Sequence, residues 1–153
     1  MNVELVERPP VNVFYLRYTG PFGEPLGKFW RTTVAAWLAD HGLLDCPRYG
    51  VTLDNPMQTP PDKCRYDCCV AVPVGLQLPD AAQTTIPGGR YSVTHFKGTG
   101  AAIGNAWGAF VGETMKSHQL DGTRLPIEHY LRGASFDTKT GVFACELLLP
   151  VGS

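Results

Sequence analysis

Glu146 is the residue whose surroundings most suggest chemistry. It is the one charged side chain in Phe143-Ala144-Cys145-Glu146-Leu147-Leu148-Leu149-Pro150-Val151, a stretch whose length and composition suit a strand through a core. Alternation along a strand puts Phe143, Cys145, Leu147 and Leu149 on one face and Ala144, Glu146 and Leu148 on the other. An unpaired buried carboxylate is costly, so such a group pairs, shifts its pKa or waits for a partner. A strand with one wet face carries the same pattern, and the stretch alone leaves both readings open.

The other chemistry-bearing residues are weighed in the same way. Asp67 lies on an earlier strand and shares its face with Arg65, a ready neutralising neighbour. Trp30 and Trp107 sit on helical stripes, where an indole either packs a core or walls a ligand site. Tyr130, Phe96 and Tyr18 are further aromatic candidates, whereas Tyr91, close to Gly89, suits a turn. His41 and His118 fall at helix ends, where the dipole favours them. Cys64, Cys68 and Cys69 lack a second Cys/His pair at finger-like spacing, so no metal or cofactor is expected. No Ser-His or Cys-His pair is placed by motif, and Cys145 points away from Glu146, so no catalytic residue is assigned.

The elements that must carry these residues form a repeat. Leu26, Phe29, Trp30, Thr33, Val34, Trp37, Leu38 and His41 recur at helical spacing, predicting an amphipathic helix of about five turns that ends near Gly42. Adding 77 to these positions gives Ile103, Ala106, Trp107, Phe110, Val111, Thr114, Met115 and His118, the stripe of a second helix. With an offset of 79, Val51 meets Tyr130 and Asp67 meets Glu146. The segment from Gly75 to Thr84 reads as a linker. The chain therefore reads as one α+β domain spanning 1–153, a duplicated β-α-β-β unit with copies at about 1–75 and 84–153. One such unit cannot bury its faces alone. Two copies are expected to form an antiparallel sheet with two long helices about a pseudo-two-fold axis, with a central cleft where a ligand would sit.

Composition narrows the function. A formal net charge of -1 gives no basic field, so direct nucleic-acid binding is not expected. No run approaches a membrane span and the first residues lack a signal peptide's character. Five cysteines, an odd number with two adjacent, suit a reducing cytoplasm.

With these residues in view, the chain resembles the GyrI-like small-molecule-binding family, which includes the gyrase inhibitor and the effector-binding domains of AraC-type and multidrug-responsive activators. The likeness runs through Arg17-Tyr18-Thr19-Gly20-Pro21-Phe22, Asp54-Asn55-Pro56, Cys64-Arg65-Tyr66-Asp67, Ile86-Pro87-Gly88-Gly89-Arg90-Tyr91, Tyr130-Leu131 and Glu146-Leu147-Leu148-Leu149-Pro150-Val151. The sequence departs from many relatives at Arg132-Gly133-Ala134-Ser135-Phe136, at one rim of the expected pocket. The resemblance implies an aromatic cleft in which an acid on the last strand, matching Glu146, receives a hydrophobic cationic compound. Trp107, Tyr130, Phe96, Trp30 and Tyr18 are the candidate rings. The implied role is drug or xenobiotic sensing or sequestration. Two alternatives stand beside it: a gyrase-inhibitor-like protein-interaction module, and a hydrolase of strained-ring genotoxins using Glu146 with Tyr130 or Trp107. A separate regulator and a second copy of the chain are the other partners left open.

Overall fold

A computed structural model of the chain describes residues 1–131, 136–137 and 139–152. The first half contains β1 (Glu4–Arg8), β2 (Val11–Thr19), α1 (Glu24–Phe29), a π-helical turn (Trp30–Val34), α2 (Ala35–Asp40), β3 (Arg48–Thr52) and β4 (Arg65–Ala71). The second contains β5 (Ala82–Ile86), β6 (Gly89–Gly98), α3 (Gly100–Met115), β7 (Ile127–Tyr130) and β8 (Phe143–Pro150). All eight strands join one curled antiparallel sheet in the order β1-β6-β8-β7-β3-β4-β2-β5. The architecture is the duplicated α+β fold with two helical arms.

Local chemistry sets the element ends. Pro9-Pro10 separates β1 from β2, because proline lacks the N–H that a continued ladder needs. Gly23, at φ +87°, turns the chain into α1, and Gly42, at φ +68°, closes α2 in the left-handed region open to glycine. The first helical arm departs from expectation, since a π turn interrupts what its periodicity reads as one helix. The linker reading is also corrected. Part of that segment is β5, a strand whose polar residues are exposed at the sheet edge and give no buried alternation.

Strand pairing exposes the symmetry. Adding 78 to Glu4 and subtracting 78 from Val93 turns that β1–β6 pair into Ala82 and Tyr15, a β5–β2 pair. Each edge strand thus lies against the other half, which ties the copies together. Gly50 and Glu128 are paired across β3 and β7 and are themselves 78 apart, so the pseudo-two-fold passes through this pair. The matching offset of 79 for Val51 and Tyr130 is therefore corrected by one residue. Glu128 corresponds to Gly50.

Three apolar clusters stabilise the sheet. Val34 and Leu38 pack with Phe14, Tyr66 and Val70 beneath the first helical arm. Phe110 of α3 packs with Cys145, Leu147 and Leu149. On the opposite face, Val13, Tyr91, Ile127 and Leu148 meet inside the curl, with no helical residue among them. Phe110 is fully buried, and its truncation to alanine should cost about 3–5 kcal/mol.

Candidate functional site

The two helical arms meet near their starts, where a Cβ on Gly100 would lie 3.8 Å from the Gly23 carbonyl oxygen. Between the arms and the sheet lies a cavity of about 1240 Å³. Trp30 and Trp107 enter its walls from opposite arms, while Tyr66, Glu128 and Tyr130 reach it from the sheet.

Glu128 is the centre of this arrangement. Oε1 accepts hydrogen bonds from the Tyr66 hydroxyl at 2.6 Å and the Tyr130 hydroxyl at 3.0 Å. Oε2 accepts one from the Trp107 indole N–H at 3.0 Å. The residue is only 7% exposed. Burial pushes its pKa above the usual 4.5, and the bonds from Tyr66, Trp107 and Tyr130 pull in the other direction by stabilising the anion. Among the described residues, its hydrogen-bond partners are neutral donors and no cationic side chain forms a salt bridge with it.

The local sequence explains how this is possible. Tyr66 lies on β4 and must cross β3 to reach β7. It crosses at Gly50, where a Cβ would overlap the tyrosine hydroxyl. The missing side chain at position 50 thus opens the path by which one copy supplies a donor to the other. Trp30 adds its ring to Tyr130 at 5.4 Å and to the edge of Tyr66 at 6.2 Å, while Phe143 lies 6.0 Å from Tyr130.

Glu146, the expected acid of the cleft, lies elsewhere. Phe143 and Leu149 face the cavity, so alternation along β8 turns Glu146 to the other face of the sheet. There it accepts from Arg8 at 3.0 Å and from His129 Nδ1 at 2.7 Å, and His129 stacks on Tyr49 at 4.5 Å. Burial pushes its pKa up, but the His129 and Arg8 contacts outweigh this and hold it below 4.5. Its repeat mate Asp67 is likewise paired, though with Arg17 at 2.8 and 3.1 Å. Arg65, the expected partner, bonds Asp54 instead.

The remaining candidates divide. Trp30, Trp107 and Tyr130 converge on the cavity. Phe96 packs in the α3 cluster against Phe143 at 5.7 Å. Tyr18 donates to the Pro21 carbonyl at 2.6 Å and packs at a tilt against Phe29, 5.3 Å away. Neither ring lines the cavity. Tyr91 anchors its turn by donating to the Pro87 carbonyl. Of the rim reading at 132–136, residues 132–135 fall outside the described residues, and Phe136 lines the cavity. Glu128 and Tyr66 were the residues missed. The available signal was alternation from Tyr130, which places Glu128 on the same strand face two residues earlier.

The geometry is that of a domain with a large aromatic cavity and a buried acceptor at its floor. The family model described as "GyrI-like small molecule binding domain" matches residues 1–152, and the chain belongs to that family. It is 30% identical over 156 residues to a DNA gyrase inhibitor of Escherichia fergusonii, covering 99% of this chain and 98% of the relative. The fold is similar to that of SAV2435 bound to tetraphenylphosphonium, with TM-score 0.72, 16% identity and coverage of 100% and 95%. It is also similar to a hydrolase from Listeria innocua, with TM-score 0.64, 12% identity and coverage of 98% and 91%.

Proposed function

We propose that the protein binds hydrophobic cations in the inter-helical cavity, with Glu128 receiving the positive charge. The observation that carries this reading is a carboxylate held at the cavity floor by neutral donors. Three donors stabilise the anion without cancelling its charge, and removal from water strengthens its attraction for a cation. The rings of Trp30, Trp107 and Tyr130 supply flat apolar contact, worth about 0.5–2 kcal/mol for each well-placed cation–π pair. The likeness to SAV2435, whose structure holds tetraphenylphosphonium, supports the ligand class. We place the protein in the cytoplasm, where its five free thiols would remain reduced. Its role would be to sense or sequester such compounds.

Calorimetry with tetraphenylphosphonium tests the reading. Glu128→Gln should weaken binding about 10- to 100-fold, as expected for a lost charge-assisted contact of about 1.5–3 kcal/mol. Glu146→Gln should change it less than about two-fold. Equal losses in both variants would defeat the assignment.

A second reading is turnover of the bound molecule. It is favoured by the raised pKa of Glu128, a property suited to a general base, and by the fold's likeness to a hydrolase. Mass spectrometry under single-turnover conditions with a strained-ring electrophile would show a hydrated product that Glu128→Gln fails to form. The gyrase-inhibitor relative also makes gyrase a partner to test by direct association.

A further inference from the structure

Glycine recurs at matching places in the two helical arms. Adding 77 to Gly23 and Gly27 gives Gly100 and Gly104. Elsewhere in the arms the match fails, since Gly108 and Gly112 meet Arg31 and Ala35. Gly23 and Gly100 mark where the arms touch. Gly23 has φ +87°, and a Cβ on Gly100 would come into ordinary contact with its carbonyl oxygen at 3.8 Å.

Gly27 and Gly104 lie one turn further along each arm and have no such reason to be glycine. Both are helical and neither has a positive φ. A Cβ on Gly104 would meet nothing within 4 Å, and one on Gly27 would meet first the movable end of the Arg31 side chain, with Nη1 at 3.0 Å. Glycine inside a helix costs stability relative to alanine, so neither backbone conformation nor internal packing accounts for the pair. What the two share is the cavity, which both line. Trp30 and Trp107 follow three residues later on the same helical faces and line it too. The part of the cavity nearest the junction of the arms is thus walled by two bare helix backbones, with an indole one turn beyond each.

We propose that Gly27 and Gly104 form a subsite for a flat aryl limb of the ligand, whose ring lies against these backbones. This rests on the cation reading and narrows it: the preferred ligands are lipophilic cations with an aryl group directed from the charge toward the junction of the arms. A bare backbone suits that role. Its N–H and C=O groups are engaged within the helix, and the absent Cβ lets a ring approach more closely than any side chain would allow. The charge sets the reach. Trp107 donates to Glu128 at 3.0 Å, and Gly104 precedes Trp107 by a rise of about 4.5 Å along the helix.

The test uses tetraphenylphosphonium and two leucine substitutions in α3. Gly104→Leu should weaken its binding about ten-fold or more by filling the subsite. Gly108→Leu is the matched control, because Gly108 is also exposed and open to a Cβ but does not line the cavity. It should change the affinity less than about two-fold. In the wild-type complex, NMR should show nuclear Overhauser contacts from the phenyl protons to the Hα atoms of Gly27 and Gly104. This readout stands even if a variant fails to fold. Matching affinity changes in the two leucine variants, or phenyl protons without contact to either glycine, would overturn the inference alone. Failure of tetraphenylphosphonium to bind wild type would overturn the cation reading and this inference with it.

Discussion

Glu128 and Glu146 lie on adjacent strands, are both shielded from water, and have opposite electrostatic roles. His129 is paired in register with Glu146, while its chain neighbour Glu128 points to the other face. Glu146 meets Arg8 and His129, so its charge is already balanced. Glu128 meets two phenols and an indole, neutral donors that hold the anion in place and bring no opposite charge. Under the proposed function, the charge of its partners rather than burial alone distinguishes a binding carboxylate.

The largest change to this contrast should come from Gly50. Gly50→Ala places a Cβ against the Tyr66 hydroxyl and forces the ring from its path to Glu128. Such overpacking should cost about 3 kcal/mol of stability, read by urea unfolding. Gly104→Ala is the matched control. It lies in the cavity wall, and a Cβ there meets nothing within 4 Å. The substitution should leave stability unchanged or raise it by up to about 1 kcal/mol through helix propensity. Similar losses in both variants would remove Gly50 from its proposed role as the passage for Tyr66.

On the other face, Glu146→Gln should be a stability variant. It leaves Arg8 and His129 without their anion, and the part-buried setting suggests a loss of about 1–2 kcal/mol. The measurement is the unfolding free energy beside the unchanged affinity for tetraphenylphosphonium. An unchanged midpoint with weakened binding would reverse the assignment of the two glutamates.

This reversal is also where sequence reasoning reached its limit. The helical stripes were legible because the same apolar spacing occurs twice, and its equivalent residues Trp30 and Trp107 both line the cavity. Alternation in the last strand correctly separated Cys145 from Glu146. It does not say which face carries the helices, and the face of Glu146 is the inside of the curl, lined by Leu148 and Ile127. Glu128 was harder to see because β7 is only four residues long, with a carboxylate and an imidazole side by side. Its contact with Tyr66 spans 62 residues and depends on a register set by two other strand pairs. The π turn carries no signal in the apolar spacing at all.

The subtlest expected difference is in pH dependence, where the two carboxylates should act with opposite sign. Glu146 is held below its usual 4.5, so its contribution to stability is present above that value and is lost as pH falls through the lower folded pKa. Glu128 is held above 4.5, so its folded form binds a proton more tightly than the unfolded chain does. Its ionisation therefore costs stability as pH rises past 4.5, reaching the full cost above the folded pKa. A cation reverses this by favouring the anion. The affinity for tetraphenylphosphonium, whose own charge does not titrate, should rise with pH through the interval above 4.5 and then level off. Binding within that interval should release protons, so the measured heat should vary with the ionisation enthalpy of the buffer. Glu128→Gln should flatten the curve and remove the buffer dependence, whereas Glu146→Gln should preserve both. A wild-type affinity that falls as pH rises would show that the bound cation does not draw on the charge of Glu128.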